Sequence, residues 1–220
     1  MFLDEKRVRI KICGITRLED ARFASGAMVD YLGFIFWPGS KRYIQPAEAG
    51  AIISWLEGPE CVGVFVDQPI DDVNDYGHIA GLDFVQLHGD ETPEYCKLME
   101  HKIIKGFRVA PEMSADHLRY LIDPYVNSVD HFLFDTFKKD TPGGTGEVFN
   151  WEVLHEIAEE FPIFLSGGLH AGNVKDALNV VHPWAVDASS KLEEAPGIKD
   201  FYLMDDFIQA VNHYNDNFGM

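Results

Sequence analysis

At 220 residues, with 46% hydrophobic content and a formal net charge of -18, the chain is long and apolar enough to bury roughly 70% of its unfolded surface in an ordinary core. The acidity excludes non-specific binding to nucleic acid or an anionic membrane, because the summed field repels both, while screening over about 8 Å leaves a small anion to whatever local groups a pocket provides. The longest apolar run, Tyr31 to Trp37, is far below the roughly 20 residues of a membrane span, and the charged first dozen residues contain no secretory core, so a cytoplasmic location is expected.

Short β-branched or aromatic runs then alternate with amphipathic stretches, the pattern of parallel strands joined by helices. In chain order the first pair is a strand from Val8 to Cys13 and a helix from Leu18 to Ser25, followed by a strand from Tyr31 to Phe36 and a helix from Pro46 to Leu56. Next come Cys61 to Val66 with Ile70 to Ile79, Phe84 to Leu87 with Pro93 to Met99, and Ile103 to Arg108 with Ala115 to Leu121. The strand His131 to Asp135 is separated from its helix, Trp151 to Glu159, by the longest loop, residues 136–150, whose glycines suit a lid at a catalytic face and equally a plain surface connection. The last units are Ile163 to Ser166 with Asn173 to Val181, and Ala185 to Ala188 with Asp200 to Tyr214. Pro46 and Pro93 suit a first helical turn and Ser114 an N-cap. Eight strands and eight helices predict an α/β fold, a single (β/α)8 barrel domain over residues 1–220.

Such a barrel gathers the C-terminal ends of its strands at one face. Two of those ends carry groups that can move a proton: Cys13, in Lys-Ile-Cys-Gly, and Asp135, in Phe-Leu-Phe-Asp. Gly14 turns the chain beside the thiol and lets it face the mouth, and an ionised carboxyl closing an apolar strand must face the mouth or stay protonated. Cys61 and Cys96 lie among apolar neighbours and are expected to be packing groups, all three cysteines being reduced. Ser166-Gly167-Gly168 after strand seven and Asp187-Ala188-Ser189-Ser190 after strand eight combine close-approach backbone with hydroxyl donors ahead of helical segments, at the usual phosphate position of this barrel. Arg42, beyond strand two, offers a planar fork for a carboxylate; from one arginine alone, a solvated basic pair with Lys41 is the simpler reading, a ranking that the context of the other loops changes. His88 follows strand four as a polar pocket wall. No His-Glu-x-x-His or cysteine cluster suggests a metal.

These segments together resemble the phosphoribosylanthranilate isomerase family of tryptophan biosynthesis. The shared stretches are Lys-Ile-Cys-Gly-Ile-Thr at 11–16, Gly-Phe-Ile-Phe at 33–36, Ser-Lys-Arg-Tyr-Ile at 40–44, Val-Gly-Val-Phe-Val at 62–66 and Val-Gln-Leu-His-Gly at 85–89. They continue with Asp135-Thr136, Gly-Gly-Thr-Gly at 143–146, Leu-Ser-Gly-Gly-Leu at 165–169, Val-Asp-Ala-Ser-Ser at 186–190 and Pro-Gly-Ile-Lys-Asp at 196–200. The resemblance implies a cofactor-free Amadori rearrangement of a phosphorylated small molecule, with Cys13 as base and Asp135 as acid. It implies further that Arg42 binds the anthranilate carboxylate, that Asp187 lies beside the substrate, and that Gly167, Gly168, Ser189 and Ser190 hold the phosphate. The chain departs from the family pattern at Lys191, where glycine or another residue is usual, and at His170 to Asn173, where proline and glutamate are common. A related isomerase of histidine biosynthesis, which pairs two aspartates, and a non-catalytic phosphosugar-binding barrel are the alternatives; the expected assembly is a monomer or homodimer.

Overall fold

The computed structural model describes residues 7–110, 112–135 and 151–218. Eight parallel strands close on themselves in chain order: β1 (Arg9–Cys13), β2 (Tyr31–Ile35), β3 (Glu60–Phe65), β4 (Phe84–Leu87), β5 (Lys102–Arg108), β6 (His131–Asp135), β7 (Ile163–Ser166) and β8 (Ala185–Ala188). β8 pairs back onto β1 through Lys11 opposite Asp187 and Ile12 opposite Ala188. The helices are α1 (Leu18–Gly26), α2 (Pro46–Ile53), α3 (Ile70–Ala80), α4 (Pro93–Cys96), α5 (Ala115–Ile122), α6 (Glu152–Glu160), α7 (Val174–Val181) and α8 (Phe201–Phe218).

The strands are nearly continuous apolar runs because both faces are covered. Ile10, Ile12, Leu32, Phe34, Leu87, Phe134 and Leu165 belong to the core shared with the helices, whereas Tyr31, Val62, Phe84, Ile104, Leu133, Phe164 and Ala185 form a separate cluster inside the barrel. Tyr31 meets Phe164 edge-on at 5.2 Å within that plug. Alternation along each strand then brings the next inward positions up as polar groups, among them Lys11, Gln86, Asp135, Ser166 and Asp187. The plug is thus a dry floor under a polar mouth.

Two helices are shorter than their apolar pattern predicts. After Ile53 and after Cys96 the chain tightens into i−3 bonding, with Leu56 N–H donating to Ile53 O at 3.0 Å and Met99 N–H to Cys96 O at 3.1 Å, so the residues up to Leu56 and Met99 belong to closing turns. Ser114 caps α5 through its hydroxyl, which accepts from His117 N at 3.2 Å, as expected. Between β8 and α8 lie a 3-10 turn (Ser190–Leu192) and an antiparallel hairpin of β9 (Glu193–Ala195) and β10 (Ile198–Lys199), turning at Gly197 with φ +84°. The sequence pattern does not predict this hairpin, which fills the stretch between the Ser189-Ser190 loop and α8, whose start at Phe201 lies next to the expected Asp200. The long loop read as a lid or a plain connection, 136–150, lies outside the described residues.

Candidate active site

The C-terminal mouth brings most of the predicted site residues to one hollow of about 190 Å³, lined by Arg42, Asp135, Ser166, Gly167, Gly168, Asp187, Ser189, Ser190 and Lys191. Gly167 and Gly168 have φ of +111° and +68°, conformations that side chains with a Cβ adopt at a cost. They bend the chain after β7 and leave open backbone against the hollow. The expectation that both loops feed helix N-termini holds only for strand seven, where α7 begins a few residues on; after strand eight the chain enters the 3-10 turn and hairpin instead. Backbone and hydroxyl groups of Ser189 and Ser190, rather than a helix end, are what that loop offers an anion.

Cys13 ends β1 at the floor of the mouth and is only 6% exposed. Its thiol fits because β2 carries glycine opposite it: a Cβ on Gly33 would lie 2.6 Å from Cys13 Sγ. Burial pushes the thiol above its ordinary pKa, while the ammonium groups of Lys11 and Lys199 oppose the shift. Lys11 is fully buried, a costly position for an ammonium unless its partners are close. Its Nζ donates to Gln86 Oε1 at 2.9 Å and to Asp187 Oδ1 at 3.0 Å and faces the Cys13 thiol. Because burial is outweighed by Asp187 and Cys13, Lys11 sits above its ordinary pKa and stays charged.

The same chain of contacts reaches Asp135. Gln86 gives its carbonyl to Lys11, so its amide N–H₂ faces His88 Nδ1 at 3.1 Å, which assigns the acceptor role to Nδ1 and the ring proton to Nε2. His88 Nε2 stands 3.8 Å from Asp135 Oδ2, too long for a hydrogen bond but close enough to set local charge. Burial, helped by Arg108, Lys105 and Lys11, lowers His88 to about 4; the ring is neutral at pH 7. His88 also lines a second hollow of about 440 Å³ with Lys105, Phe107, Arg108 and Tyr125. His88 and Asp135 therefore form the wall between the two hollows.

Arg42 is held, not solvated. Its Nε donates to Glu193 Oε1 at 2.8 Å and its Nη2 to Oε2 at 2.7 Å. Lys199 Nζ approaches the same carboxylate at 2.9 Å and also donates to the backbone oxygens of Cys13 at 2.6 Å and Ser189 at 3.2 Å. Cys61 and Cys96 are buried free thiols, as expected, and burial pushes them up to about 12 and about 11. Neither belongs to the mouth.

A family model described as N-(5'phosphoribosyl)anthranilate (PRA) isomerase matches residues 10–210. The chain belongs to that family. It is 43% identical over 205 residues to the N-(5'-phosphoribosyl)anthranilate isomerase of Nitrosospira multiformis, covering 93% of this chain and 96% of the relative. It is 44% identical over 206 residues to that of Nitrosomonas eutropha, covering 93% and 97%. Among solved structures, phosphoribosyl anthranilate isomerase from Thermotoga maritima superposes with a TM-score of 0.83 at 37% identity, over 94% of this chain and 99% of that one. Another isomerase of this name, in complex with reduced 1-(o-carboxyphenylamino)-1-deoxyribulose 5-phosphate, superposes at 0.82 with 35% identity, over 94% and 99%. A thiamine phosphate pyrophosphorylase from Pyrococcus furiosus, at 13% identity and a TM-score of 0.66, shares the fold alone.

Lys11, Glu193 and Lys199 do not stand out as site residues in the sequence. The signal for Lys11 was present: a lone lysine between isoleucines in a strand buried on both faces must find a partner inside the barrel.

Proposed function

We propose that this family member carries out its isomerisation with Cys13 as general base and Asp135 as general acid, converting N-(5-phosphoribosyl)anthranilate to 1-(2-carboxyphenylamino)-1-deoxyribulose 5-phosphate. The observation that carries the reading is the polar floor itself: thiol and carboxyl end different strands of one mouth, linked through Lys11, Gln86 and His88, with the glycine and serine loops alongside.

Asp135 gives a proton to the ribose ring oxygen as the C1–O bond breaks and the anilino nitrogen lone pair forms the C1–N double bond. The Cys13 thiolate then takes the proton from C2. The C2–H electron pair becomes the C1–C2 double bond and the iminium nitrogen recovers its lone pair, giving the enolamine. Loss of the enol proton with protonation at C1 yields the ketone. Lys11 favours the thiolate form by placing an ammonium against it, and neutral His88 presents its Nε2 proton toward the Asp135 carboxylate left after the first step. Asp187 holds Lys11 in place and lies beside the sugar.

The phosphate rests on the open backbone of Gly167 and Gly168 and on Ser189 and Ser190, a local donor set that outweighs the net charge of -18. Arg42 takes the aryl carboxylate. The assembly is a monomer or homodimer; the isomerase from T. maritima is dimeric. Purified protein mixed with freshly made phosphoribosylanthranilate is expected to remove the anthranilate-type fluorescence with turnover. Binding without turnover would leave a phosphosugar-binding barrel and overturn the assignment.

A further inference from the structure

Arg42 is restrained along its whole length. A Cβ on Gly14 would lie 2.6 Å from Arg42 Cδ, so the arginine stem lies directly on the backbone beyond β1. Its fork meets Glu193 through Nε and Nη2 only. A guanidinium carries five N–H donors, and the edge formed by Nε and Nη2 accounts for two of them. Of the other three, one on Nη1 and one on Nη2 form a second bidentate edge directed away from Glu193. Arg42 also lines the hollow that holds the phosphate loops.

We propose that Glu193 is a positioning residue, which binds one edge of Arg42 so that the other edge is presented to the substrate's aryl carboxylate. The proposal rests on the isomerase reading above, which supplies that carboxylate. Glu193 is fixed in turn: its side chain is 3% exposed, and Lys199, fully buried, bonds to it and to the Cys13 and Ser189 backbone. Arg42 and Lys199 outweigh the effect of burial and hold the Glu193 carboxyl below its ordinary pKa. Swinging Glu193 aside to free the whole fork would strand a buried ammonium and a buried carboxylate, a costly outcome. Displacement by a ligand carboxylate, the rival view of this contact, is thereby disfavoured. The hairpin that follows β8 thus ties carboxylate recognition to the strand end carrying Cys13.

The test compares two ligands: reduced 1-(o-carboxyphenylamino)-1-deoxyribulose 5-phosphate and the same compound without the aryl carboxylate. Glu193→Gln is expected to weaken the carboxylated ligand about tenfold, as for a lost charge-assisted contact, and to raise KM more than it lowers kcat. Affinity for the decarboxylated ligand and for inorganic phosphate should be unchanged. In an Arg42→Ala background the same change should add nothing further. Glu193→Asp keeps the charge beside Lys199 and protects folding; drawn back by one methylene, it should give a smaller loss confined to the carboxylated ligand. Tighter carboxylated binding in Glu193→Gln would make Glu193 an internal competitor and overturn the proposal. Equal loss for both ligands, or full additivity with Arg42→Ala, would overturn it too. If the unmodified protein turns substrate over and these outcomes fail, positioning alone is wrong; if it does not turn over, the isomerase reading falls first.

Discussion

The glycine opposite the proposed base offers a sharp mechanical test. In Gly33→Ala the new methyl would sit 2.6 Å from Cys13 Sγ and 3.1 Å from both Cys13 Cα and Cβ. Ordinary contact between such atoms is about 3.5 to 4.0 Å, so the thiol must move by roughly 1 Å, and the nearby Cα and Cβ prevent a simple rotation from relieving the clash. Displacing a reacting group by 1 Å costs about 100-fold in rate, whereas overpacking one methyl costs about 1 to 3 kcal/mol of stability. The fluorescence assay on Gly33→Ala is expected to show kcat down about 100-fold, with a cooperative thermal transition retained and KM little changed. A folded variant with kcat within twofold of the unmodified enzyme would show that thiol position is not critical and refute the reasoning.

Lys11→Met removes the ammonium facing the thiol, so the Cys13 pKa should rise further and the ascending limb of kcat/KM, which follows thiolate formation, should move to higher pH; a limb that stays in place would remove Lys11 from the base's environment. His88, at about 4 in the fold against 6.5 ordinarily, stabilises the protein above pH 6.5 and loses that contribution as pH falls through 4, a change of about 3 kcal/mol. His88→Gln should flatten this acid limb in urea titrations, and an unaltered limb would contradict the buried neutral ring. Gly168→Val should largely abolish inorganic phosphate binding by filling the approach to the loop, while Lys191→Gly should cost about 1 kcal/mol or less as an exposed charge contact; the reverse order would mean that a side-chain cation holds the phosphate.

The barrel was legible because its strands are apolar on both faces and each is followed by an amphipathic stretch. The mouth was legible because chemistry-bearing residues fall at strand ends, where Cys13, Asp135 and the glycine-serine loops stand. The supporting shell was not. Arg42 and Glu193 are separated by 151 positions, and a hairpin of strands three and two residues long is too short to show an alternating pattern. Pro196-Gly197 was its one local signal, a turn pair that fits a positive φ at the glycine. Lys11 escaped because its partners Gln86 and Asp187 come from β4 and β8, which only barrel closure brings together. The bare-arginine reading of Arg42 as solvated failed for the same reason: a side chain's environment at the mouth is set by other loops, not by its neighbours in sequence.

The proposed roles of Cys13 as base and Asp135 as acid are tested most directly by kcat for Cys13→Ala and Asp135→Asn in the fluorescence assay, alongside inorganic phosphate affinity. Each variant is expected to lose about 100- to 10,000-fold in kcat, the range for a missing general acid or base, with phosphate affinity and thermal transition preserved. Turnover within a few-fold of the unmodified enzyme in either variant would contradict that residue's role and the mechanism built on it.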